Sequence, residues 1–334
     1  MKDWHGIRTL VTGADGFIGS HLTEALVRGG ASVTALAQYN SFDSAGWLDE
    51  LPDPERREIR VVRGDVRDAE FVRRLLEGQE VVFHLAALIA IPFSYEAPAS
   101  YVATNVLGTV NVLEAARAAE IRRVVHTSTS EVYGTARTTP ITEDHPLVGQ
   151  SPYAASKMAA DMFALSFHRA YGLPVTILRP FNTYGPRQSE RAVIPTLLRQ
   201  ALDPRCDVIR VGDLTPERDF NFVEDTVRAF LALAAEPDGC IGQVYNAGSG
   251  RMVRVGDVLE LVRAVTGTTK PVVTEDARKR PAASEVMVLM ADSTRLCAAT
   301  GWAPETSLEV GLRRTAEWWT QRLDRVRASA SYMV

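Results

Sequence analysis

The stretch IRTLVTGADGFIGSH, residues 7–21, joins an apolar run to glycines spaced three residues apart. After it, apolar residues from Leu22 to Val27 recur at helical spacing, so the order is strand, glycine turn and helix. Glycines allow a tight turn and let the backbone approach a pyrophosphate, which then lies on free N–H groups at the helix start. The stretch therefore predicts the first βα unit of a dinucleotide-binding sheet. Its predicted cofactor contacts are Gly13, Asp15, Gly16, Phe17, Ile18 and Gly19.

Strand-like and helix-like segments alternate along most of the chain, which predicts an α/β protein with a doubly wound parallel Rossmann sheet. The dense prolines and glycines of residues 180–188 indicate that the chain leaves the sheet there. We expect residues 1–179, with a returning segment 219–247, to form the Rossmann domain. We expect residues 180–218 and 248–334 to form a smaller, interleaved α/β lobe that binds substrate. The strands are expected at 7–12, 32–36, 59–62, 81–85, 123–127, 175–179 and 244–246, and a helix is expected to open at Asn105 and run over 106–119.

The end of the second strand, residues 37–41, lacks the acid that usually binds the adenosine ribose about 20 residues after the glycines. Asn40 and Ser41 are the predicted substitutes. No arginine stands at 37 or 38 to meet a 2′-phosphate, so the sequence favours NAD over NADP.

Two further strand ends complete the predicted cofactor site. Asp65 is placed to accept from the adenine amino group while Val66 covers the ring, although a simple helix cap explains Asp65 equally well. The small residues after Leu85, Ala86 and Ala87, let a cofactor lie against the fourth strand.

Tyr153 and Lys157 are four residues apart on a predicted helix, so both side chains lie on one face. A phenol beside a fixed ammonium is a tunable base. Bringing its pKa from about 10 to neutrality takes roughly 3 units, or about 4 kcal/mol, of phenolate stabilisation, which Lys157 and a cationic nicotinamide can supply. The loop after the fifth strand adds further candidate catalytic groups, Thr129, Ser130 and Glu131.

Composition excludes several classes of function. Charged residues make up 23% of the chain and the formal net charge is −4, which indicates neither a nucleic-acid track nor a polybasic membrane patch. Cys206, Cys240 and Cys297 have no metal-ligand spacing and are expected to be reduced thiols, with no metal site. No apolar stretch is long enough to span a bilayer, and we expect a cytoplasmic protein.

These motifs together resemble the extended short-chain dehydrogenase/reductases that act on nucleotide sugars. The resemblance spans essentially the whole chain and implies an NAD-dependent enzyme in which Thr129, Tyr153 and Lys157 are catalytic. The residues that carry it are Gly13, Gly16, Gly19, Asp65, His84-Leu-Ala-Ala, Thr129-Ser-Glu-Val-Tyr-Gly, Tyr153-x-x-x-Lys157, Arg179-Pro-Phe-Asn-Thr-Tyr-Gly-Pro and Arg218-Asp-Phe.

Within that family the chain looks most like the UDP-N-acetylglucosamine 4,6-dehydratases of legionaminic-acid-type pathways. The resemblance implies that Asn182 contacts the substrate near its diphosphate and that Arg218 and Arg280 bind the phosphates, with Arg187 and Arg191 as further substrate contacts. Guanidinium groups suit this task because they bond phosphate oxygens in pairs. The runs that carry this resemblance are Ser130-Glu-Val-Tyr-Gly-Thr-Ala, Gly149-Gln-Ser-Pro-Tyr, Pro186-Arg-Gln-Ser, Arg191-Ala-Val-Ile-Pro-Thr and Arg280-Pro-x-x-Ser-Glu-Val.

The resemblance implies oxidation at carbon 4 of the sugar with Tyr153 as the base, followed by proton removal from carbon 5 by Glu131 and loss of water from carbon 6. Ser130 stands where many hexose 4,6-dehydratases have an aspartate, which leaves the acid for the leaving hydroxyl unassigned, with Glu131 a candidate to deliver the proton that it took. A UDP-glucuronate decarboxylase and a UDP-sugar 4-epimerase use the same first oxidation and remain alternatives. A non-catalytic NAD sensor and a reductase of steroid-like or phenolic carbonyls are disfavoured by Tyr153, Lys157 and the arginines. Family members usually form homodimers, here through the helices at 105–119 and 153–170.

Overall fold

The computed structural model describes residues 4–235, 239–278, 281 and 283–324. The strands are β1 (Arg8–Thr12), β2 (Ser32–Gln38), β3 (Ile59–Gly64), β4 (Val81–His84), β5 (Arg123–Thr127), β6 (Val175–Pro180), β7 (Asn182–Tyr184), β8 (Ile209–Val211), β9 (Glu217–Phe222), β10 (Val244–Ala247), β11 (Met252–Arg254) and β12 (Val272–Thr274). The helices are α1 (Phe17–Arg28), α2 (Asp53–Arg57), α3 (Ala69–Leu76), α4 (Ile91–Glu96), α5 (Pro98–Tyr101), α6 (Gly108–Ala118), α7 (Pro152–Tyr171), α8 (Val193–Leu202), α9 (Val223–Ala235), α10 (Val255–Thr266), α11 (Thr294–Thr300) and α12 (Leu308–Thr320).

Seven parallel strands form the central sheet in the order β10-β6-β5-β4-β1-β2-β3. Successive residues of a strand face opposite sides of the sheet. Val11 packs with the core beneath α1 and α9, whereas Leu10 packs with the core beneath α3, α6 and α7. Helices therefore cover both faces, and the predicted doubly wound Rossmann fold is confirmed.

The smaller lobe contains a three-stranded sheet, β11-β9-β7, and the pair β12-β8. Its own core lies among α8, α10 and α12 and includes Leu198, Val258 and Leu312. The predicted boundary between residues 218 and 219 falls inside β9, whereas β10 returns to the central sheet beside β6. The division into domains stays a prediction, and this interleaving supports it in outline.

The helix expected to open at Asn105 starts earlier, which corrects that prediction. Helix α5 begins at Pro98 and continues through a π-helical turn, Val102–Leu107, into α6. Proline at a first helical position is already set for the helix, because its fixed φ suits it and it has no N–H to satisfy. Asn105 therefore lies within the helix, where it is fully buried. Within the described part of the chain, the structure contains no helix both long and apolar enough to cross a membrane.

Candidate active site

The loop after β5 forms one turn of 3-10 helix, Ser130–Tyr133. Thr129 caps this turn, and its hydroxyl accepts a hydrogen bond of 3.2 Å from the Glu131 N–H. Ser130 is buried, while Thr129 and Glu131 are partly exposed. The carboxylate of Glu131 has no hydrogen-bond or ion-pair partner among the described residues.

Helix α7 brings the predicted tyrosine and lysine to the same place. Its first turn is capped by Ser151, whose hydroxyl accepts from the Ala154 N–H at 3.1 Å. Tyr153 is 7% exposed and Lys157 is 4% exposed. The Thr129 side chain lowers the pKa of the nearby Tyr153 hydroxyl, and the Glu131 carboxylate raises it. The structure thus brings Thr129, Glu131 and Tyr153 together, and Lys157 follows Tyr153 one helical turn later on α7.

The pKa of Tyr153 is not near neutrality in this structure, contrary to the expectation from the sequence. Burial raises the pKa of Tyr153 above its ordinary value, Glu131 raises it further, and the hydrogen bond with Thr129 lowers it. Burial lowers the pKa of Lys157 to about 8, against an opposing contribution from Asp161. In the protein without a cofactor the phenol is therefore protonated at neutral pH. A shift toward a phenolate needs additional positive charge near the hydroxyl, such as a bound ligand can bring.

A buried charge cluster supports Lys157 from the next turn of α7. Asp161 is fully buried and accepts from Ser128 at 2.8 Å and from two nitrogens of Arg179 at 3.0 and 3.1 Å. The ring of His126 lies 3.5 Å from its second oxygen. Burial raises the pKa of Asp161, but the side chain of His126, then the charge of Arg179 and the bond from Ser128, hold it below its usual value. Sequence reasoning missed this cluster, because its members lie on β5, β6 and α7.

A second buried chain of hydrogen bonds starts at the end of β1. The hydroxyl of Thr12 accepts from the N–H groups of Leu85 and Ala86, both at 3.1 Å, so its proton goes to Nδ1 of His84 at 2.8 Å. Nε2 of His84 then donates to Thr109 at 3.0 Å. Burial lowers the pKa of His84 well below its ordinary value, so the ring is neutral and this assignment of its proton is consistent.

The chain of hydrogen bonds ends at helix α7. Thr109 donates to the carbonyl of Asn105 at 2.6 Å, and the amide of Asn105 bonds both backbone groups of Leu88 and the hydroxyl of Ser156. Ser156 donates to the carbonyl of Tyr153 at 2.7 Å. Asn105 thus ties the loop after β4 to the first turn of α7. The π-helical turn directs its side chain there, and no local sequence pattern signals that turn.

The glycine turn has the shape that a pyrophosphate needs. Gly13 has φ +68°, and a Cβ on it would lie 2.8 Å from the nitrogen of Ala86, so the turn packs directly on the loop after β4. A Cβ on Gly19 would lie 2.1 Å from the Gly13 carbonyl oxygen. Gly16 begins α1 without a capping side chain, which leaves the N–H groups of Phe17 and Ile18 available to an anion. The turn therefore fits a dinucleotide.

The predicted adenosine contacts are arranged differently from the expectation. The amide of Asn40 donates to the carbonyls of Gln38 and Ser44 and accepts from the N–H groups of Phe42 and Ser44, so it holds its own loop together. That geometry disfavours a direct bond to a ribose, while Ser41 is exposed. The carboxylate of Asp65 is bonded by the guanidinium of Arg67 at 2.5–3.0 Å.

Several other predicted contacts lie near these elements. Val66 is buried and lies two residues after the end of β3. The three residues after β4, Leu85, Ala86 and Ala87, are partly buried beside the glycine turn.

The smaller lobe contributes a cleft that contains Asn182, Arg191 and Arg218. Oδ1 of Asn182 is buried without a hydrogen-bond partner in the described part of the chain. Arg218 bonds Glu285 at 2.8 Å, whereas the guanidinium of Arg191 contacts no acid among the residues described. The cleft is therefore polar and cationic at the place where a substrate phosphate was predicted.

Of the other two predicted arginines, only one is described, and it does not join this cleft. Arg187 bonds Glu24 of α1 at 2.7 Å and lies outside the cleft lining, and Arg280 lies outside the described residues. Arg210 and Arg278, which sequence reasoning missed, line the cleft and share Glu275. They meet because β12 pairs with β8, a contact between distant segments. The described residues include no cluster of three or more histidine, cysteine or carboxylate side chains suited to a metal ion.

Comparison with known proteins agrees with this geometry. Residues 10–315 match the family described as GDP-mannose 4,6 dehydratase. The chain is 34% identical to a UDP-glucose 4-epimerase of Mycolicibacterium smegmatis, over 95% of this chain and 99% of that protein. It is 36% identical to a dTDP-glucose 4,6-dehydratase of Streptomyces griseus, over 93% of each.

A solved structure of a dTDP-glucose 4,6-dehydratase from Streptomyces venezuelae, with NAD bound, superposes with a TM-score of 0.83. The two chains are 30% identical, and the match covers 96% of this chain and 98% of that one. The fold agrees with these whole-length matches, and the chain belongs to the extended short-chain dehydrogenase/reductase family of nucleotide-sugar dehydratases and epimerases.

Proposed function

We propose that the protein is an NAD-dependent nucleotide-sugar 4,6-dehydratase that converts UDP-N-acetylglucosamine to a 4-keto-6-deoxy sugar. The observation that carries this proposal is Glu131. Its carboxylate lies near the Tyr153 hydroxyl and has no partner among the described residues. A 4-epimerase has no task for a carboxylate here, whereas a dehydratase needs a base for the proton on carbon 5.

The residues support the following sequence of proton transfers. Oη of Tyr153 removes the proton of the sugar 4-hydroxyl, while the Thr129 hydroxyl bonds the same oxygen. The resulting 4-ketone acidifies the proton on carbon 5, which Glu131 removes. Glu131 then returns that proton to the departing 6-hydroxyl, so that water leaves, and carbon 5 takes a proton from solvent when hydride returns at carbon 6. Lys157, with a pKa of about 8, is mostly cationic at neutral pH and stabilises the phenolate form of Tyr153.

The glycine turn and the loop after β4 form the proposed NAD site, and the chain's resemblance to an NAD-bound dehydratase supports that assignment. Bound NAD would supply this site with a reversible hydride acceptor for carbon 4 and carbon 6 of the sugar and with the positive charge of its oxidised ring near the tyrosine. The cleft of the smaller lobe is the proposed site of the nucleotide diphosphate. Arg191 and Arg218 are its proposed phosphate ligands, and Arg218 must exchange its bond to Glu285 for one to phosphate.

A 4-epimerase is the second candidate, because the chain is 34% identical over nearly its full length to a UDP-glucose 4-epimerase. The two activities share the oxidation at Tyr153 and diverge at carbon 5. An epimerase leaves the proton on carbon 5 in place and returns hydride to the opposite face of carbon 4.

Incubation in heavy water separates these outcomes. The purified protein is supplied with NAD and, separately, UDP-N-acetylglucosamine, UDP-glucose, dTDP-glucose and UDP-glucuronate, and the products are read by mass and proton NMR. Loss of water with deuterium at carbon 5 supports the dehydratase, and the nucleotide sugar that turns over fastest identifies the substrate. Unchanged mass with inversion at carbon 4 shows an epimerase, and loss of carbon dioxide from UDP-glucuronate shows a decarboxylase.

Two variants assign the roles of the residues. Tyr153→Phe is expected to lose turnover and keep NAD binding, whereas a non-catalytic NAD sensor would keep its function. Glu131→Gln is expected to keep the oxidation at carbon 4 and lose deuterium incorporation at carbon 5. A Glu131→Gln enzyme that still exchanges that proton at the wild-type rate contradicts the assignment.

The predicted homodimer also stays a proposal, as does the cytoplasmic location. Helix α7 exposes Met162 and Phe163, which are 48% and 41% exposed, and such apolar groups on one helix suit pairing with a second copy. A dimer in sedimentation equilibrium that dissociates in a Phe163→Glu variant supports this pairing. A monomeric wild-type protein contradicts it.

A further inference from the structure

The inference concerns Asp15, in the middle of the glycine turn, and rests on the NAD binding proposed above. The strand end that should carry an acid for the adenosine ribose offers the buried methyl group of Ala37 and the exposed Gln38. Asn40, the expected substitute, uses its whole amide within its own loop. The structure therefore leaves the ribose without an acidic partner on β2.

Asp15 reaches that position from the neighbouring element. Its Oδ2 accepts a hydrogen bond of 3.1 Å from the N–H of Gln38, across the carboxyl end of β2. Two backbone contacts fix the loop on either side: Ala14 donates to Leu36 at 3.1 Å, and Trp47 donates to the Asp15 carbonyl at 3.1 Å. The carboxylate thus lies between the glycine turn, where the pyrophosphate binds, and the end of β2, over which the adenosine runs.

The partly buried carboxylate of Asp15 has few hydrogen-bond donors and no ion-pair partner among the described residues. Among the described residues no lysine or arginine forms an ion pair with it, and besides its own backbone N–H only Gln38 donates to it. Burial raises the pKa of Asp15 against those hydrogen bonds. A partly buried carboxylate gains when further donors reach it, and two ribose hydroxyls are such donors.

Neighbouring charges fit a ribose that carries no phosphate. Arg63 of β3 is opposite Ala37 in the sheet, but its guanidinium is bonded by the carbonyl and the carboxylate of Asp43. A 2′-phosphate would therefore meet the negative charge of Asp15 and an arginine that is already paired. We infer that Asp15 binds the adenosine ribose hydroxyls of NAD, replacing the acid absent from β2, and excludes NADP.

The test measures cofactor binding directly. Wild-type protein, freed of copurified nucleotide, is titrated calorimetrically with NAD, 2′-deoxy-NAD and NADP. Asp15→Asn is the informative variant, because its side-chain oxygen can still accept from Gln38 and only the charge is removed. Asp43→Asn is the matched control: it removes one carboxylate from the same surface, at a residue whose side chain is 92% exposed.

We expect Asp15→Asn to weaken NAD binding about 10-fold or more, the size of a hydrogen bond to a charged group, with an unchanged melting temperature. Wild-type protein should prefer NAD to 2′-deoxy-NAD by a similar factor, and the variant should lose most of that preference and bind NADP more tightly. Asp43→Asn should bind NAD as the wild type does. Equal losses for NAD and 2′-deoxy-NAD in Asp15→Asn, or no loss, overturn the inference and leave Asp15 as a brace of the loop. A wild-type protein that binds none of the three nucleotides overturns the proposed function together with the inference.

Discussion

Removing the charge of Asp161 tests the buried cluster that supports the catalytic helix. Asp161 is 0% and Arg179 is 2% exposed, and the two are joined by bonds of 3.0 and 3.1 Å. In Asp161→Asn the guanidinium stays buried without its counter-charge, although it keeps its bond to the Tyr133 hydroxyl at 2.9 Å. Losing one partner of a buried ion pair costs about 3–5 kcal/mol. We expect the free energy of unfolding to fall by that amount.

The assay is equilibrium unfolding in urea, followed by tryptophan fluorescence, with no cofactor present. Glu114→Gln on α6 is the matched control, because Glu114 pairs with Arg117 at 2.9 Å but both side chains are about half exposed, at 48% and 49%. An exposed pair of this kind contributes less than about 1 kcal/mol. If Asp161→Asn loses no more than Glu114→Gln, the buried cluster does not carry the stability argued here.

The same substitution has a consequence for Lys157. Asp161 is the charge that opposes the effect of burial on that lysine, so its neutralisation is expected to lower the pKa of Lys157 below about 8. The variant should then lose activity at a lower pH than the wild type, on the alkaline side of the pH–rate profile. Unfolding data and pH profile together separate a structural role from an electrostatic one.

Three further predictions concern single residues. The pKa of Lys157 is about 8 in the folded protein and about 10.4 in the unfolded chain, so the unfolded chain holds more protons between these pH values. The free energy of unfolding of the wild type should therefore rise by about 2 kcal/mol from pH 8 to 10, relative to that of Lys157→Met. Parallel pH dependences of the two proteins in urea unfolding contradict this. Gly19→Ala places a Cβ 2.1 Å from the Gly13 carbonyl oxygen, so calorimetry should show NAD binding lost, whereas Gly239→Ala, with open space around it, should bind normally. Asn105→Leu removes three buried hydrogen bonds, so chemical unfolding should show a loss of about 2–4 kcal/mol, and a loss below about 1 kcal/mol refutes the proposed brace.

The central sheet was predictable because its signals are local. Each parallel strand is a short apolar run in the sequence, and the glycine turn that begins at Gly13 indicates the first βα unit. The catalytic pair was predictable for the same reason, since Tyr153 and Lys157 are one helical turn apart and share a face without help from the rest of the chain.

The supporting groups were not predictable because they depend on pairing between distant segments. In the sequence, Asp161 looks like an ordinary carboxylate on a helix. Only the pairing of β5 with β6 brings Ser128 and Arg179 to it. Asn105 reads as a helix start, since asparagine favours that position, whereas packing of α5 and the π-helical turn buries it inside the helix. In both cases tertiary contacts overrode the local preference.

The proposed choice between dehydratase and epimerase rests on Glu131, whose backbone is held in place independently of its side chain. Thr129 caps the 3-10 turn, and the N–H that its hydroxyl binds belongs to Glu131, so one short turn positions both side chains. The backbone bond does not depend on the side chain at 131, so Thr129 can stay beside Tyr153 when that side chain changes. Under the proposed mechanism, substitution at 131 is therefore expected to change the reaction at carbon 5 and to leave the oxidation at carbon 4 in place. Whole-length relatives of similar identity include both a 4-epimerase and a 4,6-dehydratase, which agrees with a proposal in which the two reactions share their first step.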